Sequence, residues 1–215
     1  MTPGEPLLRV DWVASHVPDI VQRTISHLEL TAIAIVVGFV ISFVLSLLAL
    51  RRSGVYGPIT WIAGVLYTIP SLALFAVLVP LSGLSTLTAE IGLVSYTLLI
   101  LIRGIVGGVR GVPSEVREAA LGMGYAPNRM LLEVELPLAS GVILSALRVA
   151  TVTTIGLVTV TALIGQQSLG SFILDGILHL FPTPLVVGSL LSIALAILAD
   201  AGILFLQRCL TPWTQ

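Results

Sequence analysis

Five long apolar stretches, separated by short polar intervals and one long one, set the pattern of this chain. A helix crosses a hydrocarbon core with about 20 apolar residues, and the first stretch, 27–50, reaches that length before Arg51, Arg52 and Gly54 end it. The second, 58–81, contains Pro70, whose missing N–H breaks the helical ladder and frees a carbonyl at membrane depth. A kink there must be satisfied by neighbours or water, so a position beside a pathway is expected. The third stretch is the least well marked. Residues 91–102 are only twelve uncharged positions before Arg103, so the span is expected to begin near Ser85, to carry Glu90 at its outer end and to close at 103. The fourth covers 138–165 and the fifth 184–207. Ahead of them, 1–26 is mixed, with three prolines among its charges, and Trp12 with Val10, Val13, Ile20, Val21 and Ile25 suits either a short interfacial helix or an irregular segment. Residues 209–215 read as a short tail.

The long polar interval, 111–137, has the punctuation of a helix, a tight turn and a second helix. Pro113 suits a first helical turn, Gly124 a left-handed stop, and Pro127 a restart. Pro137 is expected to take Leu136 out of the helical conformation and so to separate the second short helix from the fourth span. At helical spacing Val116, Ala119, Ala120 and Met123 share one side of the first helix, and Met130, Leu131 and Val134 one side of the second. This hairpin is too polar for lipid and is expected at the membrane surface with an apolar face open to a partner. An ordinary helical hairpin with no such partner is the alternative.

Composition supports an all-α polytopic membrane protein: of 215 residues, 56% are hydrophobic and 10% charged, and the mean hydropathy is +1.08, far above what a soluble domain can cover with polar surface. One transmembrane domain over 27–208 is expected, without internal repeats. Charge placement gives an orientation. Arg51, Arg52, Arg103, Arg110, Arg117, Arg129 and Arg208 fall on one side of the spans and only Arg9 and Arg23 on the other, a bias that puts the seven in the cytoplasm. The N-terminus is then outside, the C-terminus inside and the hairpin cytoplasmic. No cleavable signal peptide is expected, since the first apolar run is too long and lacks a small-residue cleavage site.

This topology buries Arg148 and Asp200. Their positions along the fourth and fifth spans agree in depth to within about 3 Å at ~1.5 Å per residue, and embedded charges face a partner or a wet cavity. They are expected to pair, within the chain or across a subunit interface, either as a tie between helices or as part of a substrate contact. The remaining chemistry is sparse. Every basic side chain except histidine is arginine, so there is no lysine to complete a phosphate-binding Walker A loop. ATP hydrolysis, if used, belongs to another subunit. His16, His27 and His179 lack metal-ligand spacing, so no metal site is expected. Cys209 is a lone structural thiol. A net charge of −1 argues against nucleic acid. Apart from His27 at the very start of the first span, no histidine or lysine stands within a span to activate Ser71 or Ser95, which argues against an embedded hydrolase.

Glu118-Ala119-Ala120, three residues, Gly124, nine residues, Val134, one residue, Leu136-Pro137 resembles the EAA loop of permease subunits from binding-protein-dependent ABC importers, with Val134 in place of the usual isoleucine. TIPSLALFAVLVPL from Thr68, YTLLILIRG from Tyr96, ELPLASGVILSALRVATVTTIG from Glu135 and LAILAD ending at Asp200 resemble the osmoprotectant branch of that family, importers of glycine betaine, choline, carnitine and proline-type solutes. Two departures stand out: Arg103-Gly104 where the branch usually has Arg-Asn, and Gly165-Gln166-Gln167-Ser168-Leu169-Gly170 where it has a glycine-rich GxGGLG. The resemblance implies a pore of two permeases, this chain twice or with a paralogue, in a prokaryotic plasma membrane. It implies two ATP-binding subunits, holding ATP and Mg²⁺, docked on the loop, and an extracytoplasmic solute-binding protein. No cofactor is implied in this chain. Glu118, Ala119, Ala120, Gly124, Tyr125, Pro127, Leu136 and Pro137 would then couple to the ATPase, with Tyr125 and Pro127 as a rigid knob. Tyr67, Pro70, Ser71 and Tyr96 are candidates for the pathway or gate, and Thr151, Thr153 and Thr154 offer hydroxyls that either line it or bond back to their own helix. Trp61, Tyr67, Phe75 and Tyr96 are the embedded aromatics, although a quaternary-ammonium cage is expected in the binding protein instead. A methionine- or amino-acid-type importer, and an ATPase-independent secondary transporter, are the competing readings.

Overall fold

A computed structural model describes residues 7–211, and every regular element among them is helical. Short α1 (Val10–Ser15) leads into α2 (Val17–Arg51), followed by α3 (Ser53–Thr68), α4 (Ser71–Ser82) and α5 (Thr86–Arg110). The polar interval holds α6 (Ser114–Gly122) and α7 (Pro127–Met130), and a π-helical turn (Leu131–Glu135) joins α7 to α8 (Leu136–Val160). A 3₁₀ turn (Thr161–Ile164), α9 (Leu169–Leu178) and α10 (Pro182–Leu210) complete the chain.

The central helix is α5, packed against α2, α3, α4 and α8, while α10 lies against α8 and α9. Lipid supplies no hydrophobic drive between helices, so close packing of small residues does that work. Ala34, Gly38, Ser42 and Ser46 recur every fourth residue along α2, and all four are buried. Gly104 of α5 faces Ala146 of α8 so closely that a Cβ at 104 would lie 2.1 Å from the Ala146 Cβ. Larger side chains fill the space between these contacts: Phe75, Leu93 and Val158 near the start of α5, and in its second half Ile102 and Val106 toward α3, and Ile105 and Val109 toward Ile143 of α8.

Four helices or helical runs are long and apolar enough to span a membrane, and α3 with α4 makes a fifth candidate bent by 97°. The sequence suggests a kinked single span at Pro70, but the chain breaks outright. Ile69 and Pro70 are both extended (ψ 127° and 133°), because the proline ring disfavours the helical conformation of the residue before it and cannot donate to the ladder. The first long helix begins at Val17 rather than His27, since Pro18 sits in its first turn and the polar residues that follow remain helical. The third runs on to Arg110 rather than closing at 103, which places Arg103 inside a helix. The interval 166–183, expected as a loop, contains α9, whose ten residues are too few to register as a span. Residues 1–6 and 212–215, the outer parts of the expected N-terminal segment and tail, lie outside the described residues.

Pro137 does not end a helix. Leu136 is helical (φ −64°, ψ −45°), and 127–164 forms one helical run of 38 residues. Proline in a helix lacks a donor and crowds the carbonyl one turn earlier. The π turn immediately before α8 widens the ladder at that carbonyl and absorbs the conflict.

Candidate functional site

The polar interval folds as a helix, a left-handed stop and a restart. Gly124 has φ +81°; its N–H donates to the Leu121 carbonyl at 2.9 Å and the Tyr125 N–H to the Ala120 carbonyl at 3.1 Å, the paired bonds of a Schellman motif. Pro127 opens α7. The Tyr125 ring is half-buried, with the Arg129 guanidinium 4.8 Å from its centroid. Arg129 in turn reaches Glu133 at 2.9 Å, a hydrogen bond that raises the guanidinium pKa above its ordinary value.

Arg117 fixes this unit to the membrane helices. Its Nη2 donates to the Val109 carbonyl at 2.6 Å, and its Nε lies 2.7 Å from Glu135 Oε1, a carboxylate on the π turn. The apolar side expected on α6 divides: Val116 is half-buried and Ala120 buried, whereas Ala119 and Met123 are exposed along with Glu118 and Leu121. Among the described residues Glu118 has no hydrogen-bond or ionic partner. Leu136 and Pro137 lie beyond the π turn at the start of α8 and are not part of the exposed face of α6.

At the break between α3 and α4 the Tyr96 hydroxyl donates to the Ile69 carbonyl, and the Tyr96 and Tyr67 rings meet edge to face with centroids 6.1 Å apart. Tyr67, Pro70 and Tyr96 are thus brought together, and Ser71 opens α4 beside them. Of the four aromatics singled out in the sequence, Phe75 and Tyr96 are buried, while Trp61 and Tyr67 are exposed. Thr151 and Thr154 donate back to the Leu147 and Ala150 carbonyls, so both hydroxyl protons are committed to their own helix.

Arg148 and Asp200 meet in a two-point contact between α8 and α10, Nε to Oδ1 at 2.8 Å and Nη2 to Oδ2 at 2.7 Å. Planar fork-to-fork geometry of this kind is the strongest form of the pair. It borders a largely apolar groove of about 670 Å³ with Ser145, Val152, Thr153 and Leu204.

A cluster that sequence reasoning missed gathers at the opposite end of the molecule. The Trp12 ring stacks on His16 and meets Phe172 and Phe181 edge-on, and Arg23 lies over Phe172 at 4.1 Å while pairing with Asp175 at 3.2 Å. No local spacing signals this contact, because its partners are on α1, α2, α9 and the segment before α10. His27 is buried, with Nε2 3.1 Å from the Ile155 carbonyl. The Gly165–Gly170 departure forms a second left-handed stop at Gly165 (φ +82°), and Ser168 then caps α9.

Residues 34–211 match the family model described as binding-protein-dependent transport system inner membrane component. The choline transport system permease protein OpuBB of Bacillus subtilis (strain 168) is 31% identical over 204 residues, 94% of each chain. The carnitine transport permease protein OpuCB of Listeria monocytogenes is 32% identical over 191 residues, 88% of this chain and 87% of that one. The fold also superposes on an inward-facing structure of the MetNI methionine ABC transporter with a TM-score of 0.83 at 19% identity, covering 92% of this chain and 98% of that one. With a match over most of its length and an all-helical fold of the same kind, this chain belongs to the family of inner-membrane components of binding-protein-dependent transport systems.

Proposed function

We propose that this chain is a pore-forming subunit of an ABC importer for small quaternary-ammonium osmoprotectants, driven by ATP hydrolysis on two separate subunits docked at α6. The observation that carries the coupling is mechanical. The exposed α6 face with Glu118, Leu121 and Met123 is tied by Arg117 to Val109 and to Glu135, and from Pro127 the chain is one helical run through Ile164. A displacement imposed on α6 therefore passes into the membrane helices without crossing a flexible joint. The arginine asymmetry orients α6 to the cytoplasm and the N-terminus outside.

A second permease subunit, identical or paralogous, completes the pore, and an extracytoplasmic solute-binding protein delivers the solute. ATP and Mg²⁺ reside on the ATPase subunits. Similarity to choline and carnitine permeases supports the substrate class; the likeness to the methionine transporter supports the fold alone.

Uptake of labelled glycine betaine at low and high osmolarity tests this reading, in cells lacking the chain and in cells complemented with wild type or Glu118→Ala. Restoration by wild type and not by the variant is expected. Uptake that never depends on the chain refutes the substrate class.

A further inference from the structure

Arg103 is an embedded charge that none of the contacts described above explains. It lies inside α5, seven residues before the helix ends at Arg110, roughly 10 Å in at ~1.5 Å per residue. Its side chain is exposed, and among the described residues it has no acidic or hydrogen-bonding partner, unlike Arg148. A guanidinium at membrane depth is costly unless it meets an anion or a water-filled cavity. Arg103 opens onto an open groove of about 490 Å³ between α3 and α5, with Thr60, Trp61, Gly64, Tyr67 and Thr68. Trp61 is 70% and Tyr67 39% exposed, so both present accessible rings to it. Tyr67 also contacts Tyr96, whose hydroxyl holds the carbonyl at the α3–α4 break, so the groove adjoins that break.

The two chemistries in this groove complement the two ends of a betaine. A guanidinium fork takes a carboxylate in charge-assisted hydrogen bonds, and indole and phenol faces attract an alkylated ammonium that cannot donate a hydrogen bond. Resting on the proposed function, we propose that Arg103, Trp61 and Tyr67 form a transit site in the permease for zwitterionic trimethylammonium carboxylates. The carboxylate pairs with Arg103 and the trimethylammonium lies against the rings. Choline carries no carboxylate and uses only the aromatic half. An arginine that merely reaches back toward the cytoplasmic surface would make no such distinction between solutes.

The test uses the permease–ATPase complex in lipid nanodiscs without binding protein. The probes are labelled glycine betaine and its amide, which keeps the trimethylammonium and loses the negative charge. Wild type is expected to bind the betaine at least about tenfold more tightly than the amide. Arg103→Gln should remove that difference by weakening the betaine alone, Arg103→Lys should restore part of it, and Trp61→Ala should weaken both ligands. Equal binding of the two ligands to wild type, which requires no variant to fold, overturns the site, as does an equal loss of both in Arg103→Gln. A complex that transports glycine betaine yet binds none in this assay overturns the transit site and leaves the proposed function standing. Transport of no trimethylammonium solute overturns both.

Discussion

Placing a methyl group at position 104 and removing one at 146 tests one of the closest helix contacts in the fold. A Cβ at 104 would stand 2.1 Å from the Ala146 Cβ but 3.6 Å from the Ala146 Cα. Carbon atoms in contact prefer about 3.5–4.0 Å, so Gly104→Ala must push α5 and α8 apart. Overpacking of this kind costs about 1–3 kcal/mol, against which alanine gains ~1 kcal/mol of helix propensity over glycine. The net loss for the single variant is therefore smaller than the strain. Ala146→Gly alone loses a similar ~1 kcal/mol of propensity. In the double variant the new Cβ meets only the Cα at an ordinary distance, so the strain vanishes and the propensity terms cancel. The predicted coupling energy is at least ~1 kcal/mol, above the ~0.5 kcal/mol within which independent sites add. Unfolding of purified protein by SDS titration in mixed micelles, followed by circular dichroism, measures the cycle. Additive effects of the two substitutions would refute the contact between α5 and α8 at this level.

Three further outcomes follow from single contacts. Tyr96→Phe strips the Ile69 carbonyl of its donor and should destabilise the protein by about 1–3 kcal/mol in the same titration; an unchanged midpoint would show that the break is satisfied otherwise. Gly124→Val forces a β-branched residue to φ +81°, a cost of about 1–3 kcal/mol of backbone strain, and should lower ATP-driven uptake while membrane insertion, read by fractionation, persists. Asp200→Asn leaves the Arg148 guanidinium without its charged partner and should reduce assembly of the complex, read by co-purification of the ATPase; assembly and uptake both at wild-type level would deprive the pair of any role.

The long spans are legible in the sequence because the only requirement is about 20 apolar residues, which 27–50 and 184–207 satisfy without reference to neighbours. The left-handed stop at Gly124 is legible because the chain needs positive φ there and glycine supplies it. Pro137 misleads because its effect depends on what precedes it: the π turn at Leu131–Glu135 accommodates the ring and lets the helix continue. Pro70 has no such accommodation, and the Tyr96 hydroxyl takes over the Ile69 carbonyl instead, a partner 27 residues away that no local rule finds. The end of the third span at Arg103 follows from treating an arginine as a boundary, whereas α5 carries it onward to Arg110. In α9 the cap is Ser168 with Ser171 rather than the usual acidic partner, and the helix is short, so its signal is weak. At Gly104 the Ala146 Cβ on α8 leaves no room for a larger side chain, a constraint set by a residue 42 positions away that no local rule finds.

The most direct measurement of the central claim is solute uptake into proteoliposomes that hold the permease, its ATPase and the loaded binding protein, with ATP inside or outside, for wild type and Glu118→Ala. The account predicts uptake by wild type only when ATP is on the α6 side, and loss of uptake in the variant while the complex still assembles and hydrolyses ATP at its basal rate. Uptake that proceeds without ATP, or that is unchanged in Glu118→Ala, would contradict the coupling of ATP hydrolysis to transport through α6.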